Sequence, residues 1–358
     1  MNTTTKLGAA ALAFGLSGAA VAQVAQSSVT LSGVIDTGVS WTNHAGNGSQ
    51  SLTGVSDSIL GVSNFGLSGK EDLGGGVNAL FNLQAGFNPS NGRMSSNGTL
   101  FSRNSYVGLS SSSGTLTVGK QWNFNDDWLV GSVFKGGYNS GSIFKFSEFD
   151  AVSELYNNTV KYVSPSLGGV QLGAMYGFGE TAGSVSQGSL FNLAARYDGG
   201  PLYLAASYDQ ERDSSGTGSL YKLITVGGSY TFGAVKLRLG AARADVGGAG
   251  AFQSIPSMSA RKATAVEGGV DYAFTSAFTA SADVLYRRNT TLSNSSTVYR
   301  LLGLYSLSKR TTLVANVAYL KNSANATEAL VNTTSGAIGG GVAGMSQTSV
   351  ALGVRHTF

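Results

Sequence analysis

Hydrophobic and polar residues alternate with a period of two along most of the chain. In "SSVTLSGVIDTGVSW", most apolar side chains occupy odd-numbered positions from Val29 to Trp41. The polar residues Asp36 and Ser40 fall on the other face. The last stretch, "SQTSVALGVRHTF", repeats this pattern and ends on Phe358. A period of two is typical of a β-strand with one apolar face, and is not the period of a helix.

Short and long connections alternate between the predicted strands. The short ones are "EDLGG", "SSSG", "SPSLGG", "DGGP", "TFGA", "FTSAF" and "LSKRT". The long ones cover about residues 43–52, 88–99, 123–156, 181–188, 211–218, 247–260, 290–296 and 323–345. Seven short and eight long connections join 16 strands and leave both chain ends on the short-turn side. Tilted strands of this length can cross a bilayer.

This pattern predicts an all-β fold, a 16-stranded antiparallel transmembrane β-barrel with both termini on the periplasmic side. The apolar faces would meet lipid, and the polar faces would line a lumen. Because hydrocarbon offers no hydrogen-bond partners, the sheet must close on itself. A soluble β-sandwich is the alternative, but it would have to bury two apolar faces in one core and would not separate short from long connections.

Composition agrees with a barrel. Glycine accounts for 51 of 358 residues and charged residues for only 12%, whereas soluble domains carry about 25% charged residues. Beyond the N-terminus, no apolar run approaches the roughly 18 residues that a spanning helix needs. The chain has no cysteine, so thiolate metal sites and disulfides are excluded. A net charge of +4 without a long basic run does not indicate a nucleic-acid partner.

The N-terminus predicts export. Lys6 precedes an apolar stretch from Leu7 to Leu16, and the small residues around Ala22 fit a cleavage site. Residues 1–22 are therefore predicted to be a signal peptide, and residues 23–358 to form the barrel. The third long connection, about residues 123–156, far exceeds the others, and a loop of that length is usually functional.

Five stretches resemble one family: "SSVTLSGVIDTGV", "NFGLSGKEDLGGGVNALFNLQAGF", "LFSRNSYVGLSSSSGTLTVGKQW", "NNTVKYVSPSLGGVQLGAMYGFGE" and "LGVRHTF". They are similar to the trimeric general porins of Gram-negative outer membranes, especially the beta-proteobacterial group. The resemblance implies a homotrimer among outer-membrane lipid and lipopolysaccharide, and passive diffusion of small hydrophilic solutes and ions. It also implies that Phe358 is recognised by the barrel-assembly machinery and that the long third loop folds into the barrel. No cofactor is implied.

The resemblance also indicates where the pore should narrow. In the family, acidic residues of the third loop face arginines on the barrel wall. Here the acidic candidates are Glu148 first, then Asp150, Asp126, Asp127 and Glu154. The basic candidates are Arg103, Lys161 and Lys120, because Asn64 and Leu155-Tyr156 stand where relatives carry arginine.

The alternation of side chains along each strand places further basic candidates on the lumen wall: Arg196, Lys236, Arg238, Arg287, Arg300 and Arg355. As a set these side chains would line a mildly basic channel, which predicts a weak anion preference. For each carboxylate, a solvated position or a role in fixing the loop is the alternative. For each base, the alternative is a wall charge without effect on transport.

The sequence leaves several functions other than diffusion as alternatives. A hydrolase would need a histidine near a serine and an acid, but the two histidines, His44 and His356, show no such spacing. A substrate-specific channel for sugars or carboxylates would share the fold, as would a surface adhesin or structural barrel. The sequence shows no clear aromatic slide, and its longest loop is the one expected inside the barrel.

Overall fold

The computed structural model describes residues 28–46, 48–135, 146–150, 155–213, 218–247, 261–330 and 342–358. The predicted signal peptide lies outside these residues. The strands are β1 (Ser28–Ala45), β2 (Gln50–Ser56), β3 (Asn64–Gly74), β4 (Val77–Gly86), β5 (Ser105–Ser111), β6 (Gly114–Trp122), β7 (Leu155–Val163), β8 (Val170–Gly177), β9 (Leu190–Gly199), β10 (Leu202–Arg212), β11 (Ser219–Phe232), β12 (Val235–Val246), β13 (Arg261–Ala273), β14 (Phe278–Asn289), β15 (Asn294–Ser306), β16 (Thr311–Asn322) and β17 (Gln347–Thr357).

Two short helical segments interrupt this pattern, a π-helical turn (Asn125–Leu129) and α1 (Ser147–Asp150). Both belong to the long connection between β6 and β7. Among the described residues, no helix has the length and apolar character needed to cross a membrane.

The strands form one closed antiparallel sheet. From β3 onward, consecutive strands pair with each other, and β17 pairs with β1 from Val34↔Thr357 to Thr42↔Ser349. β2 pairs with the second half of β1 and β3 with its first half. The 17 segments therefore make 16 barrel strands, because β2 and β3 are two halves of one strand. The predicted 16-stranded barrel is confirmed.

Asp36 organises the break between β2 and β3. Its carboxylate accepts hydrogen bonds from the backbone N–H groups of Ile59 (2.9 Å), Leu60 (2.9 Å) and Gly61 (3.1 Å). Arg355 Nη1 also donates to it at 3.1 Å. These three N–H groups do not donate to a neighbouring strand, and the Asp36 carboxylate accepts their hydrogen bonds instead. The break between β2 and β3 therefore leaves no buried backbone donor of these three without an acceptor.

The two faces of the strands match the sequence pattern. On β1, Val29 is 67% exposed and Leu31 59% exposed, whereas Asp36 and Ser40 are buried. Leu352 on β17 is 61% exposed on the same outer face. All seven predicted short turns join neighbouring strands, from β3–β4 to β15–β16. The long connection predicted at 290–296 is shorter than expected, because β14 extends to Asn289 and β15 begins at Asn294.

Candidate pore constriction

The long connection between β6 and β7 lies inside the barrel. Its described parts, residues 123–135 and 146–150, contribute buried apolar side chains: Phe124, Trp128, Leu129, Val133, Phe134, Phe146 and Phe149. These pack in one cluster with inward-facing wall residues such as Leu223, Ala242 and Leu285. The largest apolar core of the described residues is therefore the layer between this loop and the inner wall, and it holds the loop against β8–β14.

Hydrogen bonds fix the start of the loop on β9 and β10. The backbone N–H of Phe124 donates to Asn192 Oδ1 at 2.9 Å. Asn125 Nδ2 donates to Asp209 Oδ2 at 2.5 Å. The hydroxyl of Tyr203 donates to the carbonyl oxygen of Trp128, at the end of the π-helical turn. These three bonds to separate residues determine the direction in which the loop enters the lumen.

Glycines on the wall make room for loop aromatics. A Cβ atom on Gly240 of β12 would overlap the ring of Phe134, and one on Gly173 of β8 would overlap the ring of Phe124. Both rings are fully buried. The close approach of the loop therefore depends on the absence of a side chain at these positions.

A cluster of ion-paired side chains holds the loop at Lys135, which we call the tip of the described loop. It comprises Lys135, Arg238, Arg300, Glu267, Asp271 and Asp283. Lys135 Nζ lies 3.2 Å from Asp271 Oδ1, and Arg300 Nη2 lies 2.6 Å from Asp283 Oδ2. Burial lowers the pKa of the Lys135 ammonium, although Asp271 partly opposes that shift. Arg238 and Arg300, predicted as basic wall residues, are therefore ion-paired with carboxylates of this cluster.

Glu148 anchors the returning half of the loop. Its carboxylate is completely buried and ion-paired with Arg287, and it accepts a hydrogen bond of 2.6 Å from Asn289 Nδ2. Arg261 Nη1 lies 3.8 Å away. The structure thus gives Glu148, the first acidic candidate, the loop-fixing position that the sequence had left open. Its partner Arg287, predicted as a lumen-wall base, is also buried.

The Glu148 anchor predicts a pH dependence. Burial alone would raise the pKa of this carboxyl, but hydrogen bonds and charge attraction from Arg287, with the hydrogen bond from Asn289, hold it below its ordinary 4.5. Because the folded-state pKa is lowered, the stabilisation is complete above pH 4.5 and is lost as the pH falls through the lower folded value.

Unfolding free energies of the wild type and of Glu148→Gln, measured against pH, test this dependence. We expect the difference between the two proteins to be constant above pH 4.5 and to shrink below it. A difference that grows on acidification would contradict the assignment. Using the difference removes the contribution of the other carboxylates, which both proteins share.

Two of the predicted basic residues, Lys161 and Arg103, lie close together where the loop leaves β6. Lys161 Nζ donates to the carbonyl oxygen of Trp122 at 2.8 Å, and it is ion-paired with Asp127. Arg103 Nε donates to Gln84 Oε1 at 3.2 Å, and the guanidinium carbon lies 4.7 Å from the centroid of the Trp122 ring. Trp122 therefore links the two cations. A cavity of about 170 Å³ is lined by Asp127, Lys161 and Trp122.

Comparison with known proteins identifies the family. A family model described as "Gram-negative porin" matches residues 8–325. The chain belongs to the Gram-negative porin family. An outer membrane porin protein of Bordetella pertussis is 31% identical to this porin in an alignment of 403 positions, gaps included, that covers 98% of each chain. Outer membrane porin protein 32 of Delftia acidovorans is 32% identical over 365 residues, 97% of this chain and 99% of that protein.

Solved structures agree with this family. The anion-selective porin from Comamonas acidovorans has a TM-score of 0.78 and 28% identity, and the match covers 93% of this porin and all 100% of that chain. The trimer form of OmpT from Vibrio cholerae, at 16% identity and a TM-score of 0.67, shares the fold. The protein is an outer-membrane porin.

Several predicted site residues of the porin lie elsewhere than expected. Lys120 alternates with the buried Thr117 and Gln121, so it shares the outer face with the exposed Leu116 and Val118. Its Nζ donates to Asn157 Oδ1 at 2.8 Å rather than lining the lumen. Simple alternation from the outward Leu116 and Val118 gives the same face, because the extra residue of the nearby bulge lies on β7.

The remaining candidates have varied surroundings. Asp126 is half-buried, and its backbone N–H donates to Asn123 Oδ1 at 3.0 Å. Arg196 lies 5.1 Å from the Trp128 ring, beneath the loop. Lys236 is half-buried near a short turn, and Arg355 pairs with Asp36 as described above. Glu154 and the side chain of Asp150 lie outside the described residues.

Sequence reasoning missed two carboxyl groups behind the loop. Asp209 and Glu211, two positions apart on β10, are both fully buried. Asn125 donates to Asp209, and the Tyr156 hydroxyl donates to Glu211 Oε1 at 2.6 Å. Within the described part of the chain, Asp209 Oδ1 and Glu211 Oε2 have no hydrogen-bond partner. Their positions in the alternation of β10 place both side chains on the inner face. The same alternation that predicts the basic wall residues could therefore have identified them.

Proposed function

We propose that this porin is a general diffusion channel for small hydrophilic solutes and ions, with a weak anion preference. The observation that carries the preference is the position of Arg103, half-buried on the inner wall and held by Gln84 and Trp122 beside Lys161. Most other predicted wall arginines lie in ion pairs with buried carboxylates. The likeness to an anion-selective porin supports the same sign of selectivity.

The mechanism of solute transport follows from fixed charges that surround a narrow water-filled channel. A loop packed against one side of the wall reduces the cross-section, and fixed charges on the other side favour polar solutes over apolar ones. Each contact must be weak, because a solute that binds tightly leaves slowly. Passive diffusion requires no catalytic group.

The proposal includes a homotrimer whose subunits are assembled through a C-terminal signal. Phe358 directly follows β17, its backbone exchanges two hydrogen bonds of 3.0 Å with Gly33, and its side chain is exposed on the outer face. A terminal aromatic in that position is accessible to the barrel-assembly machinery before the barrel closes. The trimer form known for OmpT of Vibrio cholerae supports the assembly state.

Arg103→Gln tests the source of selectivity. Removing this cation is expected to shift the zero-current potential in a salt gradient toward cation preference, because the nearby Asp127 then has less opposing charge. Arg310→Gln removes an equal charge from the exposed β15–β16 turn and is the matched control. A shift of the same size in both variants, or none in Arg103→Gln, would contradict the assignment.

A further inference from the structure

Four buried oxygen atoms lie without a hydrogen-bond partner where the start of the loop crosses β10 and β11. Among the described residues, no partner is found for Asp209 Oδ1, Glu211 Oε2, Asn125 Oδ1 and Thr225 Oγ1. All four residues are at most 2% exposed. A polar atom that leaves water without gaining a partner costs free energy, so four of them at one place point to a partner that they share.

The fold brings these four side chains together from three segments. Asp209 and Glu211 are two positions apart on β10, so both project from its inner face. Thr225 on β11 stands opposite Ser207, which makes it a diagonal neighbour of Asp209 on that face. The π-helical turn that contains Asn125 packs over both strands. Asn125 Nδ2 donates to Asp209 Oδ2, so the oxygen of the same amide lies in the same buried space.

The two carboxyl groups differ from other buried acids of the inner wall in their charge environment. Glu148 and Asp283 are each ion-paired with an arginine. In the part of the chain that the structure describes, neither Asp209 nor Glu211 forms an ion pair. Their hydrogen bonds come from neutral donors, such as the Tyr156 hydroxyl, which lies 2.6 Å from Glu211 Oε1. Two adjacent buried carboxylates require a positive charge nearby, and a bound cation would supply it.

We propose that Asn125, Asp209, Glu211 and Thr225 form a calcium site, which we call the loop-start site. Ca²⁺ takes about six to eight oxygen ligands in flexible geometry, and carboxylates and amide carbonyl oxygens are typical of them. The four side-chain oxygens without partners are ligands of this hard, oxygen-only kind. Second carboxylate oxygens and water would complete the shell. Mg²⁺ fits less well, because it demands nearly octahedral geometry.

A cation at the loop-start site would join the loop to the wall. Asn125 belongs to the loop, whereas the other three ligands belong to β10 and β11. The ion would therefore fix the start of the loop by charge, in addition to the hydrogen bonds described above. With two carboxylates as the charged ligands, we expect a dissociation constant of about 10⁻⁴–10⁻³ M, the range of extracellular calcium modules. The inference concerns how the loop is held, and it does not depend on the ion preference of the channel.

Isothermal titration calorimetry with CaCl₂ tests this proposal on the purified full-length porin after divalent ions have been removed with a chelator. The wild type is expected to bind one more Ca²⁺ per chain than the double variant Asp209→Asn, Glu211→Gln. At a Ca²⁺ concentration about ten times the dissociation constant, the ratio of folded to unfolded wild type should rise about tenfold. The same concentration should leave that ratio unchanged in the double variant.

A matched control removes two exposed carboxylates near a short turn, Glu71→Gln and Asp72→Asn, and should retain the bound ion. Equal Ca²⁺ binding by the wild type and the Asp209→Asn, Glu211→Gln variant would overturn the proposal and would mean that this pair holds protons instead. An equal loss in the exposed control would also overturn it. Thr225→Val removes one neutral ligand without changing the charge, so it serves if the double variant does not fold. Unchanged Ca²⁺ affinity in Thr225→Val would contradict the site.

Discussion

Glu148→Ala is expected to lower the free energy of unfolding by about 3–5 kcal/mol, because it leaves a buried arginine without its carboxylate. Arg287 is only 2% exposed, and its bidentate contact with Glu148 is lost completely. The remaining acid, Glu328, lies 3.3 Å from Arg287 Nη2 and cannot replace two oxygen acceptors. Denaturant unfolding in detergent micelles, followed by tryptophan fluorescence, measures the change.

Two comparisons separate this effect from a general loss of charge. Asp245→Ala breaks a largely exposed ion pair on the outer surface and should cost at most about 1 kcal/mol. The double variant Glu148→Ala, Arg287→Met should be more stable than Glu148→Ala alone, because no buried charge is left unpaired. A Glu148→Ala protein as stable as Asp245→Ala would show that the ion pair of Glu148 with Arg287 does not hold the loop.

Gly240→Val is expected to push the tip of the loop away from the wall into the lumen and to lower the single-channel conductance. The new side chain would occupy the space of the Phe134 ring, which is fully buried between loop and wall. Overpacking of this kind costs about 1–3 kcal/mol. Because the described loop packs inside the barrel, its displacement changes the water-filled cross-section as well as the stability.

Gly268→Val is the matched control for that substitution. Gly268 lies on β13 facing outward, and an added Cβ would meet nothing closer than Leu239 Cδ1 at 3.8 Å. The control should conduct as the wild type does. A Gly240→Val channel with wild-type conductance would mean that the ring finds another position without moving the loop.

Side-chain alternation, together with the regular change between short and long connections, predicted the barrel from the sequence. It identified the outward residues of β1 and β17, such as Val29 and Leu352, because a sheet that faces lipid on one side and polar groups on the other must repeat with a period of two. The division of one barrel strand into β2 and β3 was not predicted. It depends on Asp36 reaching backbone donors more than twenty residues away, and local pattern does not report such contacts.

The site was less predictable than the fold, for physical reasons. Parity placed Arg238 and Arg300 on the inner wall, but the charge they present depends on whether Asp283 and Asp271 lie opposite, and only the register shows that. Glu148 was identified as important, yet its partner Arg287 lies 139 positions away. Lys120 was misplaced because closeness to the loop in sequence does not determine the face of a strand residue, whereas its alternation with the buried Thr117 and Gln121 does.

Single-channel recording of the purified porin in a planar bilayer under a salt gradient tests the central claim most directly. The account predicts discrete steps, grouped in threes for a trimer, with a small zero-current potential of the sign that indicates anion preference. Folded protein that produces no steps would contradict the channel itself. Steps with a clear cation preference would contradict the assignment of Arg103 as the charge that sets selectivity.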